Sequence, residues 1–346
     1  MKFKNILIGI TISVFSILLS FAVAEIAVRI LYPGIIPSTK YDWSSRHKGY
    51  KLEKPHTTFR IVVLGDSFTF GQGVSRDETF PKRLESMLNS YGGRIRFEVV
   101  NLGFCGLETR GELELLTQAG INPETWQPDE RYRGLAYQPD LIILEYTLND
   151  SSTSGRTLEQ IKKFDDQWRR GDVVIRPNNG AYSLPVPAKV DKFLTVNSRL
   201  YLFSLDRYNQ ILGRLGLREA GDSAINSMLS RYEDSFDGWV NVKQSLSEMA
   251  QVAKMNDLPI VLAIYPQLIQ LDNYPFKGIH QKVKWVGDVW GFHTLDLFPA
   301  FEGKNGASLW VTPSDGHPNA DAHEIAAKAI FYYLTKEGLI PYHKGG

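Results

Sequence analysis

The chain reads as an α/β protein with a mostly parallel sheet covered on both faces. Apolar runs of strand length recur at residues 59–64, 96–100, 141–146, 259–266 and 292–297. Segments with helical apolar spacing stand between several of them. Strands that alternate with helices pair in parallel, because each crossover passes over a face of the sheet. The 346 residues are 43% hydrophobic and 22% charged, a balance that belongs to a globular chain rather than a disordered one.

The first element is an N-terminal helix. Lys2 and Lys4 precede an uncharged apolar stretch from Ile6 to Ala24, close to the roughly 20 residues that cross a bilayer core. Leading lysines favour a cytoplasmic N-terminus and a remainder outside the cytoplasm, periplasmic or extracellular. Ala22-Val23-Ala24 resembles a small-residue cleavage site, which would make the stretch a removed signal peptide. Apolar text resumes at Ile26-Ala27-Val28 and Ile30-Leu31-Tyr32. Glu25 and Arg29, four apart, can pair on one helix face at a membrane exit, as an uncleaved anchor would. A buried core helix is the third reading, and the lysine-first flank disfavours it. Residues 1–32 are thus expected as a membrane anchor or signal peptide. A polar linker, 33–58, follows and is opened by Pro33-Gly34 and Pro37. The main domain is expected at 59–340.

Within that domain, Phe59 to Leu64 forms the first strand. Pro81 suits the first turn of a helix whose Leu84, Met87 and Leu88 share a face, with Gly92-Gly93 as its end. Arg96 to Val100 is the second strand, running into Asn101-Leu102-Gly103-Phe104-Cys105-Gly106. A helix is expected from Thr109 to Leu116. Leu141 to Tyr146 is the third strand and closes on Asn149-Asp150. From about 151 to 231 the alternation breaks. Mixed charge, Asn178-Asn179-Gly180, Pro185, Pro187 and short amphipathic pieces mark an insertion, either a lid or a plain surface excursion. A helix from Trp239 to Met255, a strand at Pro259–Pro266, a last strand at Phe292–Leu297 and a helix from Ala320 to Leu334 complete the domain.

Composition excludes some partners. A net charge of +1 leaves no basic excess for a phosphate backbone, so nucleic acid is not expected as a ligand. Cys105 is the only cysteine, which excludes an intrachain disulfide.

The chemistry concentrates at strand ends. Ile61-Val62-Val63-Leu64 stops abruptly at Gly65-Asp66-Ser67, and Ser314-Asp315-Gly316-His317-Pro318-Asn319 comes far downstream. A serine hydroxyl needs a neighbouring base, and the base needs an orienting partner. It also needs donors aimed at the oxyanion, each contributing roughly 100- to 1,000-fold in rate. In open α/β sheets such groups gather at the carboxyl ends of strands. Ser67, Gly106 and Asn149 fall just past three strand ends, and His317 is expected to open the final helix.

Gly65-Asp66-Ser67-Phe68, Gly106 after Asn101, Asn149-Asp150, and Asp315-Gly316-His317-Pro318-Asn319 resemble the successive blocks of the SGNH/GDSL hydrolases, in order, over about 59–335 outside the insertion. The resemblance implies a flavodoxin-like three-layer α/β/α sandwich and carboxylic-ester hydrolysis with no metal or organic cofactor. It implies Ser67 as nucleophile and His317 as general base. It implies an oxyanion hole from the Ser67 and Gly106 backbone N–H groups and the Asn149 side chain. Asp315 would orient His317. Two positions depart from the family pattern. Ser314 holds the family's usual place for the acid, with Asp315 one residue later. Thr147 stands where glycine is usual, two before Asn149.

Other residues read more plainly. Asp66 and Asp150 suit turn capping, Asn101 suits a backbone bond near Gly103, and Cys105 suits a buried inert thiol. His323-Glu324 begins like a zincin motif, but Ala327 occupies the second histidine's place. Gly-x-Ser-x-Gly and Gly-Lys-Ser/Thr are absent around Ser67, which argues against nucleophile-elbow hydrolases and P-loops. Gly71-Gln72-Gly73 lacks a third glycine at dinucleotide spacing. Trp285, Trp290, Phe292, Phe298, Phe301 and Trp310 are expected in the core rather than as a sugar platform.

The expected activity is that of a membrane-anchored, extracytoplasmic serine esterase. It would remove an acyl group, acetyl among the candidates, from a carbohydrate or another small ester. An O-acyltransferase acting on an envelope polysaccharide would use the same residues. A noncatalytic binding protein on the same fold is the alternative from another class.

Overall fold

The computed structural model describes residues 2–32, 46, 48–91, 93, 95–118, 120–122, 125–152, 156–170, 187–214, 221–312 and 315–341. In chain order its first half comprises α1 (Lys2–Leu31), β1 (Thr58–Leu64), α2 (Ser67–Phe70), α3 (Phe80–Ser90), β2 (Arg96–Asn101), α4 (Thr109–Thr117), β3 (Gly120–Ile121), β4 (Pro128–Asp129) and β5 (Leu141–Tyr146). Four helices follow: α5 (Leu158–Arg170), α6 (Ala188–Asn197), α7 (Arg199–Arg214) and α8 (Gly221–Ser230). The chain then forms α9 (Asp237–Met255), β6 (Ile260–Ile264), α10 (Lys277–Trp290), β7 (His293–Asp296), α11 (Phe298–Phe301), β8 (Trp310–Thr312), β9 (Asp315–Pro318) and α12 (Ala320–Lys336). Two compact units result, residues 1–41 with 168–218, and residues 42–167 with 219–346.

The larger unit is a parallel five-stranded sheet in the order β2-β1-β5-β6-β7. Counting only these strands, this is the 2-1-3-4-5 order of a flavodoxin-like fold. Ile61, Val62, Val63 and Leu64 of β1 and Leu141 to Leu144 of β5 have no solvent exposure. A central parallel strand is buried on both faces, which is why these runs are continuously apolar. Helices α3 and α12 pack together on one face, and α4, α9 and α10 pack in a row on the other. Pro81 lies in the first turn of α3, where its missing N–H costs nothing. Leu84 and Leu88 are buried below it, each contributing roughly 1.5–3 kcal/mol of apolar burial.

An ion pair closes the amino end of β1 and β2. Arg60 donates to Glu98 Oε2 through Nε at 2.9 Å and Nη2 at 2.6 Å, and its Nη1 donates to the Tyr137 carbonyl at 2.6 Å. Arg60 is wholly buried.

Several expected boundaries differ. The amphipathic stretch from Lys277 to Trp290 is a helix that the strand-to-strand reading passed over. The Asp315–His317 segment belongs to the antiparallel β8–β9 pair rather than to the entrance of the final helix. Asn319 caps that helix, its side chain accepting from Ala322 N. Phe292, Phe298 and Phe301 lie in the core as expected, whereas Trp285 is 65% and Trp290 45% exposed. Trp285 lies on the face of α10 opposite Ile279, Val283 and Val286, which the core covers, and Trp290 is the last residue of the helix. Pro33-Gly34, Pro37, Gly92, Asn178-Asn179-Gly180, Pro185 and Ser314 lie outside the described residues.

The smaller unit holds α1, α6 and α7. From Ile8 to Leu31, α1 is long and apolar enough to cross a membrane. Near its end Glu25 pairs with Arg29 at 2.7 Å.

Candidate active site

The strand order reverses between β1 and β5, and the crevice beyond their carboxyl ends is where open α/β sheets place ligands. Ser67 follows β1 and Asn149 follows β5, so both stand at this crevice. Leu64 ends the strand, and Gly65 adopts φ 155. A Cβ on Gly65 would sit 2.2 Å from Thr69 Oγ1 and 2.7 Å from Glu145 Oε2, so the tight turn into α2 accepts glycine alone. Asp66 caps α2, its Oδ1 accepting from Phe68 N at 2.7 Å. Ser67 becomes the first residue of the helix, 7% exposed, with its N–H in the turn that lacks an intrahelical acceptor.

His317 Nε2 lies 3.0 Å from Ser67 Oγ, although 250 positions separate the two. His317 Nδ1 lies 2.5 Å from Asp315 Oδ1, which also accepts from the His317 backbone N–H at 3.1 Å. Both residues lie in β9, where side chains two apart share a face, and this is how a two-residue spacing lets an acid face the ring. Gln72 Nε2 lies 3.3 Å from the same Nδ1. One ring nitrogen cannot both donate to Asp315 and accept from Gln72. The shorter carboxylate contact favours Nδ1–H toward Asp315, which leaves the Nε2 lone pair facing the serine hydroxyl. The Phe68 ring meets His317 edge-on at 5.7 Å and walls it off from the core. Burial works to lower the basicity of His317, but the charge and hydrogen bond of Asp315 outweigh it, and the ring's pKa lies above its ordinary value.

Asn149 stands in the turn after β5. Its Nδ2 donates to Asp66 Oδ2 at 3.1 Å, and the Thr147 hydroxyl lies 3.1 Å from the same oxygen. Thr147 also makes a short hydrogen bond to Asn149 Oδ1 and lies 3.3 Å from Asp150 Oδ1. The hydroxyl of Thr147 thus ties together the turn that the sequence marks as unusual. Gly106 lies in the turn after β2 with φ 80, a left-handed conformation that favours glycine. The Phe104 N–H donates to the Gly65 carbonyl at 2.9 Å and so fastens this turn to the one that carries Ser67.

Below the crevice lie buried carboxyls. Burial pushes Asp66 up, against its hydrogen bonds to Phe68, Asn149 and Thr147 and the charge of His317. Burial, then the charges of Asp66 and Asp150, push Glu145 well up. Its Oε2 accepts from Thr69 Oγ1 at 2.9 Å. Burial, then the charge of Asp150, push Glu112 well up, and among the described residues neither of its oxygens has a hydrogen-bond partner. Burial and the charge of Asp66 also push up the Cys105 thiol, which makes it a poor nucleophile. Among the described residues no group of three or more His, Cys, Asp or Glu side chains is placed to hold a metal ion. His323 serves α3, its Nδ1 accepting from the Phe80 N–H at 3.1 Å.

An open cleft of about 540 Å³ adjoins the β8–β9 pair, lined by residues 268–272, 303–307 and Trp310. Gln270, Asp272, Lys304 and Asn305 are exposed there above buried Leu268 and Leu271. Trp310 donates from Nε1 to the Leu268 carbonyl at 2.7 Å and pairs with Pro318, the residue after His317. The cleft and His317 therefore share one hairpin. Gln72 and this cleft escaped the sequence reading. Gln72 had drawn notice only as part of a glycine pattern, and a cleft made by two separate loops leaves no local signal.

The sequence profile of the GDSL-like Lipase/Acylhydrolase family matches residues 63–325. No curated protein matches the chain. Among solved structures, TesA is 14% identical, with 81% of this chain and 99% of that chain covered at a TM-score of 0.43. A catalytic mutant of Axe2, an acetylxylan esterase from Geobacillus stearothermophilus, is 14% identical, with 80% and 94% covered at 0.41. A two-domain esterase active on acetylated mannans, co-crystallised with mannopentaose, is 13% identical, with 81% and 49% covered at 0.42.

Proposed function

Because the chain belongs to the GDSL-like lipase/acylhydrolase family and is a carboxylic-ester hydrolase, we propose that it works as a serine esterase through an acyl-serine intermediate. The 3.0 Å approach of His317 Nε2 to Ser67 Oγ carries this reading. His317 takes the serine proton as Oγ attacks the ester carbonyl, and Asp315 stabilises the imidazolium that forms. The Ser67 and Gly106 N–H groups and the Asn149 amide receive the oxyanion. Collapse of the tetrahedral intermediate breaks the ester C–O bond, and His317 returns its proton to the leaving alcohol. Water, deprotonated by His317, then attacks the acyl-serine and frees the acid.

The alcohol half of the substrate is a saccharide or another small polar molecule. The cleft beside the His317 hairpin supports this, since Gln270, Asp272, Lys304 and Asn305 offer hydrogen bonds over an apolar floor. The segment at 1–32 is a retained anchor, with the remainder outside the cytoplasm. Lys2 and Lys4 ahead of the apolar stretch support that orientation.

The full chain in detergent micelles should hydrolyse a short-chain chromogenic ester, and Ser67→Ala should abolish the activity. Equal rates for the two proteins would sink the proposal. Added saccharide acceptor separates hydrolysis from acyl transfer, because transfer diverts the acyl group from water to the sugar.

A further inference from the structure

We infer that α6 is a membrane-seated helix, its Val190 and Phe193 face lying in the lipid interface beside the exit of α1. This rests on the proposed retention of α1 as an anchor. At 1.5 Å per residue, positions 6–24 span about 29 Å, the thickness of a hydrocarbon core of about 30 Å. Glu25 therefore stands at the far boundary of the bilayer.

Glu25 is also where α7 begins. Its carboxylate accepts from the Ser198 hydroxyl at 2.8 Å and from the backbone N–H groups of Arg199 and Leu200, both at 2.9 Å. These are orphan donors of a helix N-terminus, held by an acid from another helix. Arg29 adds a bond from Nη2 to the Asn197 carbonyl, the last residue of α6, at 3.1 Å. Seven residues beyond Glu25, the Tyr32 ring lies 4.8 Å from that of Phe203, four residues into α7. The two helices thus run in the same direction. The start of α7 is at the lipid boundary, and its body rises away from the bilayer.

The corner between α6 and α7 is consequently at headgroup depth. Phe193 is one turn, about 6 Å, before Asn197, and its carbonyl accepts from Asn197 Nδ2 at 2.8 Å. Phe193 is 64% and Val190 45% exposed. They share a face three residues apart, whereas Asp191 and Thr195 are buried and Asp191 bonds the Tyr201 hydroxyl of α7. An apolar helical face held at this depth matches an interfacial helix, which sinks about 5–10 Å into the headgroup–acyl boundary. Lys189, exposed beside it, suits phosphate headgroups.

The test uses the full chain in vesicles of phosphatidylethanolamine and phosphatidylglycerol. An environment-sensitive fluorophore is placed at Phe193→Cys, Val190→Cys or Ile211→Cys in a Cys105→Ser background. Ile211 is exposed but twelve residues up α7, about 18 Å from its start. Lipids spin-labelled near the headgroup should quench positions 193 and 190 several-fold more than position 211. Equal quenching at all three sites, in protein that floats with the vesicles, would overturn the seat and leave the anchor standing. Protein that fails to float, or a mature mass lacking residues 1–24, would overturn both.

Discussion

The side-chain amide of Asn149 donates to Asp66 Oδ2 at 3.1 Å, so the residue adjoining Ser67 orients the asparagine that follows β5. Thr147, whose hydroxyl reaches both, replaces the glycine that the family pattern places there. Asn149→Ala should lower kcat by about 100- to 1,000-fold with KM little changed, as loss of an oxyanion donor does. Thr147→Val should lower kcat by a smaller factor, while Thr147→Ser keeps the hydroxyl and should stay near wild type. Steady-state kinetics on the folded variants check this. A Thr147→Ser protein as slow as Thr147→Val would show that the methyl matters rather than the hydroxyl.

The raised basicity of His317 fixes a pH dependence. In the proposed mechanism His317 is the general base and must be neutral, so activity should rise with pH through a pKa above the ordinary 6.5. Asp315→Asn removes the charge that raises it. The acid limb of the kcat/KM profile should then move to lower pH, while kcat falls by roughly 1,000- to 10,000-fold, as when a buried triad acid is neutralised. An acid limb that stays in place would detach Asp315 from His317.

Arg60 and Glu98 staple the end of the sheet opposite Ser67. Arg60→Met leaves the Glu98 carboxylate buried without its partner, which should cost roughly 3–5 kcal/mol. Denaturant unfolding should show this loss, and the remaining folded protein should retain its kcat.

Glu112 makes stability depend on pH with a definite sign. Its folded pKa lies well above the ordinary carboxyl value of 4.5 that applies to the unfolded chain. Its contribution is complete below that value and declines as pH rises toward the folded pKa, because the unfolded state releases a proton that the folded state keeps. The slope is about 1.4 kcal/mol per pH unit for one proton. Glu112→Gln should remove this decline, so the variant gains on the wild type as pH rises above 4.5, at no more than that slope and only until the folded pKa is passed. Chemical denaturation across this range measures it, and parallel curves for the two proteins would contradict the assignment.

The central strands were legible because burial on both faces leaves only apolar residues, as in Ile61 to Leu64 and Leu141 to Leu144. The α10 helix carried a readable signal in Ile279, Val283 and Val286, spaced four and three apart. Its tryptophans drew attention instead, and aromatic identity alone pointed to the core. The β8–β9 pair was not legible, since three- and four-residue strands have too little alternation to register. Ser67 was legible at the end of a strand, whereas His317 was expected at the opening of the final helix and lies instead in β9. Asp315 and His317, two apart in β9, share one face of that strand, and the pairing was hidden only because so short a strand could not be read from the sequence.

Glu25 holding the first amides of α7 has a practical corollary for anyone preparing this protein. Trimming residues 1–32 to obtain a soluble form would strip Arg199 and Leu200 of their acceptor and take away the tilted Tyr32 ring beside Phe203. Such a truncation would fray the helix pair it was meant to leave untouched, and its behaviour would misreport that of the whole chain.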